Sequence, residues 1–253
     1  MERERLSVVE VLRTTLRVWR AHKVSLWLLA AIVLAPLMVL ETAGYHFAVQ
    51  LSGSKFDPAT AIVNLFVILV FEIGSAEVEA VAAEKMVGSD LHGHRLPRFR
   101  QFLREVPWVR LVLATLLFEI AVVLGLLLAV VPGVLLVVFC ALYGPVIVVE
   151  RSGVWASFRR SAALVRGNFW RMFVLTMIVV AIGEGVGLLV EALLAGTSRA
   201  VEVFGLYLFD VLLTPLQGVG IAVTYFALVA IDRNGTRGGT REEPAGAGPS
   251  DAV

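Results

Sequence analysis

Seven carboxylates stand where a carboxylate is costly. Glu72, Glu77, Glu79, Glu119, Glu184, Glu191 and Asp210 fall inside long apolar stretches, and no lysine or arginine lies at comparable depth. If those stretches cross a bilayer, a charged group near the centre costs about 2.5–3.5 kcal/mol even on the lenient insertion scale. Glu72, Glu119 and Glu184 lie deepest; the other four sit nearer the ends of their stretches, where the cost falls. Helical spacing gathers these groups into stripes. Glu72, Ser75 and Glu79 share one face, and Thr115 and Glu119 are one turn apart. Glu184, Gly187 and Glu191 align, and Asp210, Thr214, Gln217 and Thr224 run along one side of a further helix. Polar stripes on four helices can face one another around a wet cleft.

Three chemistries fit such stripes. Protonated acids can hydrogen-bond to neighbouring helices, for roughly 0.6–2 kcal/mol each. Unpaired acids can line a path for protons or cations, here Glu72, Glu79, Glu119, Glu184, Asp210 and Gln217. Clustered acids can also hold a metal, but the histidines speak against it: His22, His92 and His94 lie in basic segments and His46 at the far end of an apolar stretch. No metal and no cofactor is expected. The sequence contains no HExxH zinc helix, no G-x-S-x-G elbow and no phosphate-binding P-loop. A lipid enzyme would need a His or Cys beside an acid at headgroup depth, and none is visible. No enzyme activity is expected.

The elements that must hold these groups are set by composition. Of the 253 residues, 58% are hydrophobic and 17% charged, against about 45–50% and 25% in soluble domains. Mean hydropathy is +0.83. These values exclude a disordered chain, a basic nucleic-acid-binding domain and an ordinary cytosolic enzyme. Six segments, near 24–48, 59–83, 109–131, 133–150, 169–195 and 203–231, approach the ~20 residues a spanning helix needs. The expectation is an all-α membrane protein with six transmembrane helices arranged as three hairpins. Pro132-Gly133 leaves room only for a tight turn, and Pro36, Pro145 and Pro215 should kink their helices. The Gly183–Gly187 run reads as a surface for close helix packing. Cys140, the single cysteine, can form no disulfide within the chain, and the start shows no removable signal peptide.

Orientation follows from the arginines and lysines. Twenty lie in the amino-terminal segment, the second and fourth connections and the tail, against Lys55 and Arg199 on the other side. The positive-inside rule then places both termini in the cytoplasm of a bacterial plasma membrane. Each hairpin is preceded by an amphipathic segment: Val9, Leu12, Leu16 and Trp19; Leu96, Phe99, Leu103 and Val106; Trp155, Phe158, Ala162 and Val165. All three use spacings of 3, 4 and 3, so each set forms one helical face. Such helices lie in the interface plane. Arg13, Arg17, Arg98, Arg104, Arg159 and Arg160 are the expected contacts to anionic lipid, each worth about 1 kcal/mol. The even spans end alike, in Glu84-Lys85, Glu150-Arg151 and Asp232-Arg233. The chain reads as a threefold repeat in one domain, 1–232, with a disordered tail over 233–253.

The stretch from Val131 to Met172, VPGVLLVVFCALYGPVIVVERSGVWASFRRSAALVRGNFWRM, resembles the glycerophosphoryl diester phosphodiesterase membrane-domain family. The resembling features are Pro132-Gly133, Pro145 ahead of Glu150, Gly153, Ser161, Leu164, and Gly167 before Phe169-Trp170-Arg171, with Pro215 and Thr224-Tyr225 further on. In some relatives of that family the membrane part is fused to a (β/α)₈ barrel, which takes about 250 residues of its own. The resemblance therefore implies a membrane module without the hydrolase. The expected role is a non-enzymatic accessory or lipid-interacting module. Its partners would be the bilayer, anionic lipids and an unidentified membrane or cytoplasmic protein, with no nucleic acid. The alternative is a small proton or cation transporter or channel.

Overall fold

The computed structural model describes residues 6–52 and 107–239. Seven helices form among them: α1 (Val8–Ser52), α2 (Trp108–Leu128), α3 (Val130–Cys140), α4 (Tyr143–Val149), α5 (Val154–Arg166), α6 (Phe169–Leu194) and α7 (Arg199–Gly239). No strand occurs among the described residues. Four segments of these are long and apolar enough to cross a bilayer: Trp108–Leu128, Val130–Val149, Phe169–Leu194 and Val201–Asn234. They correspond to the third to sixth expected spans. The expected first span lies within α1, and the second, 59–83, lies outside the described residues.

The first hairpin among these turns on glycine. Only Ala129, with extended backbone, separates α2 from α3. A Cβ built on Gly125 would stand 3.0 Å from the Cα of Gly133, so the two helices meet backbone to backbone below the turn. The expected kink at Pro145 is a full break instead. Proline cannot donate to the carbonyl four residues back and its ring crowds that carbonyl. The helix accordingly stops at Cys140 and restarts at Tyr143, which puts Pro145 in the first turn of α4. Pro215 lies inside α7 without ending it.

The second correction concerns the amino-terminal unit. The expected interfacial helix and first span are one helix, α1, of 45 residues. At 1.5 Å per residue it is roughly 67 Å long, twice the ~30 Å hydrocarbon core. No proline or glycine falls between Val8 and Ala35 to interrupt it. Helix α7 runs antiparallel to it: Thr15 lies opposite Gly220, and Ala30 and Leu34 cluster with Val211. This last helix continues to Gly239, beyond the expected start of the tail at 233.

The faces packed on protein differ from the apolar faces that the periodicity picks out. In α5 the buried residues are Ser157, Ser161, Leu164 and Val165, whereas Trp155 is 74% exposed. In α1 the buried positions are Val11, Thr15 and Val18, while Val9 and Leu16 are exposed. In a chain whose surroundings are apolar, an oily face marks the side toward lipid as readily as the side toward protein. Here the inward sides carry smaller residues, which allow close approach. The core gathers toward the arginine-rich end, where α1, α3, α4, α5, α6 and α7 contribute Val18, Val138, Val146, Val165, Met172 and Tyr225.

Candidate functional site

Four polar side chains from two helices and the turn after α4 converge at the arginine-rich end. Glu150 follows the last residue of α4, where the chain leaves its apolar run. Arg160 projects from the middle of α5, with its Nε 3.2 Å from Glu150 Oε1 and a terminal nitrogen 3.0 Å from Asp232 Oδ2. The Tyr225 hydroxyl donates to the same Glu150 Oε1 at 3.1 Å. Tyr225 and Asp232 are seven residues apart, on one face of α7. Burial opposes the charge on Arg160, but hydrogen bonds and Coulombic attraction from Glu150 and Asp232 outweigh it and raise its pKa above the usual arginine value. The paired acids at the ends of the even spans thus meet through one guanidinium. Arg160 is engaged with protein, a different use from the lipid contact expected of it.

Two further arginines are held in the same layer. Arg110 and Arg171 are each the third residue of their helix, α2 and α6. Arg110 donates to the Arg151 carbonyl at 3.1 Å, where Arg151 has a φ of 50°. Arg171 donates to the Leu6 carbonyl, and the Leu6 amide donates to Asn168 Oδ1 at 3.2 Å. Arg13, Arg17 and Arg159 are exposed. Arg98 and Arg104 lie outside the described residues.

The break between α3 and α4 depends on a buried serine. Ser161 Oγ donates to the Phe139 carbonyl at 2.7 Å and accepts the Leu142 amide at 3.2 Å. Both groups lose their helical partners at the break, and both lie where water is scarce. Ser157, one turn earlier on the same buried face, makes only a local bond, to the Val154 carbonyl at 2.6 Å. Nothing in the sequence separates these two serines except their spacing to Pro145.

The intramembrane polar residues divide between two places. Glu119 is half-buried on α2, one turn from Thr115, whose hydroxyl lies 2.7 Å from that of Tyr143. The packing partners of α2 among the described elements are α3, α4 and α5. Asp210 and Gln217 are half-buried on α7, which packs chiefly on α1 and α6 and also meets α4 and α5. Gln217 lies against Gly183, and Phe209 lies 3.5 Å from a Cβ position at Gly187. The glycine run therefore serves close packing of α6 on α7, as its sequence suggested. Thr224 bonds back to the Gly220 carbonyl of its own helix at 2.7 Å. The structure sets Gln217 beside α6, whereas Glu119 lies on α2, which packs on α3, α4 and α5. Glu184 lies on α6, but its side chain is outside the description, and Glu72 and Glu79 lie outside the described residues. No group of His, Cys, Asp and Glu able to hold a metal occurs among the described residues.

Comparison with known proteins places this architecture. A UPF0259 membrane protein of Pectobacterium carotovorum subsp. carotovorum is 35% identical over 77 residues, 30% of this chain and 31% of that protein. The chain thus spans about a third of that relative's length. No solved structure matches. The family described as a domain of unknown function (DUF7847) matches residues 99–231. That stretch covers more than half of the chain and contains α2 to α6, nearly all the membrane-crossing part of α7, and the Glu150–Arg160–Tyr225 contacts. On that match the chain belongs to the DUF7847 family of unknown function.

Proposed function

We propose that the chain is a non-enzymatic module of the bacterial plasma membrane, with six spans in three hairpins and both termini in the cytoplasm. Its basic layer holds the module to the anionic leaflet and presents it to a membrane or cytoplasmic partner. One observation carries the reading: the arginines at this end divide into two sets. Arg110, Arg160 and Arg171 bond to acceptors within the protein, whereas Arg13, Arg17 and Arg159 stay exposed beside the ends of the apolar helices. Exposed basic residues at that depth attract anionic headgroups. The name of the Pectobacterium relative, a membrane protein, supports the setting. The likeness to the glycerophosphoryl diester phosphodiesterase membrane-domain family rests on the stretch from Pro132 to Arg171, inside the matched region, and supports the view that the module works beside other proteins.

Two measurements test this reading. In a Cys140→Ser background, Thr197→Cys should be labelled by an impermeant thiol reagent in intact cells, and Ser152→Cys only after permeabilisation. The reverse pattern overturns the orientation. The purified chain should also be stabilised more by phosphatidylglycerol than by phosphatidylcholine, and equal stabilisation overturns the lipid role.

A further inference from the structure

The face that α5 turns outward combines charge and aromatic rings in an order its sequence periodicity concealed. Trp155, Arg159, Ala163 and Arg166 follow at spacings of 4, 4 and 3, and all four are exposed. On an ideal helix they fall within an arc of about 80°. Trp170, in the first turn of α6 just past the 167–168 connection, is 73% exposed. Arg159 and Arg166 make no hydrogen bond or ion pair among the described residues, unlike Arg160, which is turned aside to Glu150 and Asp232. Exposed Ala163 lies on the same face, between Arg159 and Arg166 in sequence.

We propose that this strip is a seat for the phosphate of an anionic phospholipid, bound by Arg159 and Arg166 two turns apart on one face of α5, with Trp155 and Trp170 at headgroup level. The inference rests on the membrane reading above and narrows it to one site. Charge complementarity names an anionic oxygen ligand, because two arginines bind phosphate oxygens with planar, directed donors. The tryptophans name its source. Indole rings favour the headgroup level of a bilayer, and two of them, one at the start of α5 and one at the start of α6, lie about three-quarters exposed. The connections fix the depth. Only residues 150–153 separate α5 from the end of α4, and only Gly167 and Asn168 separate it from α6. The helix is therefore held where both apolar segments leave the membrane.

The test uses the full chain in neutral detergent, with native mass spectrometry reading bound phosphatidylglycerol, phosphatidylcholine and inorganic phosphate. Each arginine at a lipid surface is worth about fivefold in affinity. Arg159→Ala and Arg166→Ala should each weaken phosphatidylglycerol binding by about that factor, and the pair by roughly 25-fold. Ala163→Phe keeps both charges but fills the seat, and should weaken binding comparably. Arg160→Ala should leave binding nearly unchanged. If Arg13→Ala and Arg17→Ala reduce phosphatidylglycerol binding while the α5 variants do not, this site is overturned and the wider lipid reading stands. If the unaltered chain does not favour phosphatidylglycerol over phosphatidylcholine, both fall. Equal competition by millimolar inorganic phosphate would overturn the lipid source, and capture of an acidic protein segment in place of lipid would overturn the occupant.

Discussion

Replacing Ser161 by alanine isolates the energetics of the break between α3 and α4. The hydroxyl serves two backbone groups, the Phe139 carbonyl and the Leu142 amide. Removing it strands both in a site of zero exposure. A buried backbone group left unpaired costs about 1–3 kcal/mol, so two stranded groups cost roughly 2–6 kcal/mol before the chain relaxes. Local adjustment at Ala141 and Leu142, which already have turn geometry, should recover part of that. An expected loss of about 2–4 kcal/mol remains. In a chain of this length it corresponds to a fall in melting temperature of roughly 5–15 °C. Ser157→Ala is the matched control. It removes the same atom from the same fully buried face, but its only bond is local, to the Val154 carbonyl. It should cost under ~1 kcal/mol. The assay is thermal unfolding of both variants in one detergent, followed by intrinsic tryptophan fluorescence. If Ser157→Ala is as damaging as Ser161→Ala, the break is not held by hydrogen bonding and the argument fails.

Other expectations follow from the same geometry. Arg160→Ala should destabilise by about 1 kcal/mol, because partly exposed ion pairs are worth 0–1 kcal/mol and this one joins two carboxylates; raising salt should narrow the gap to the unaltered chain, and no salt dependence would contradict the charge network. Gly125→Ala should cost more than ~2 kcal/mol in thermal stability, since its Cβ would meet the backbone of Gly133 at 3.0 Å. Gly185→Ala, with open space around it, should be neutral or stabilise by up to ~1 kcal/mol. Proteoliposomes should pass neither protons nor alkali cations under an imposed gradient, and a flux lost in Glu119→Gln would overturn the non-transport reading.

Length and apolarity were legible before any coordinates: the third to sixth segments coincide with helices able to cross a bilayer within a few residues at each end. So were the glycines that set α6 on α7. Pro145 announced a disturbance but not its extent, because the outcome depends on whether a distant group can satisfy the freed backbone, and Ser161 does so from 16 residues downstream. The inward faces of α1 and α5 were not legible. Periodicity counts apolar residues, and lipid and protein both accept them, so the pattern does not say that Trp155 faces outward while Ser157 and Ser161 face the protein. Arg160 was indistinguishable from Arg159 in composition; only the fold sends one to Glu150 and leaves the other outside. The paired acids Glu150 and Asp232 were visible as matching span ends, but their meeting required α5 to pass between them.

The unbroken course of α1 makes the amino-terminal unit mechanically unlike its counterpart at α5. Residues 150–153 and 167–168 place a non-helical pivot at either end of α5, and Ser161 and Arg160 tie the helix between them to its neighbours. Helix α1 has no such pivot between its basic half and its oily half. Leverage applied to Arg13 and Arg17 by a thinning or recharged leaflet passes along a single stiff beam to Ala30 and Leu34, and through them to Val211 on the antiparallel α7.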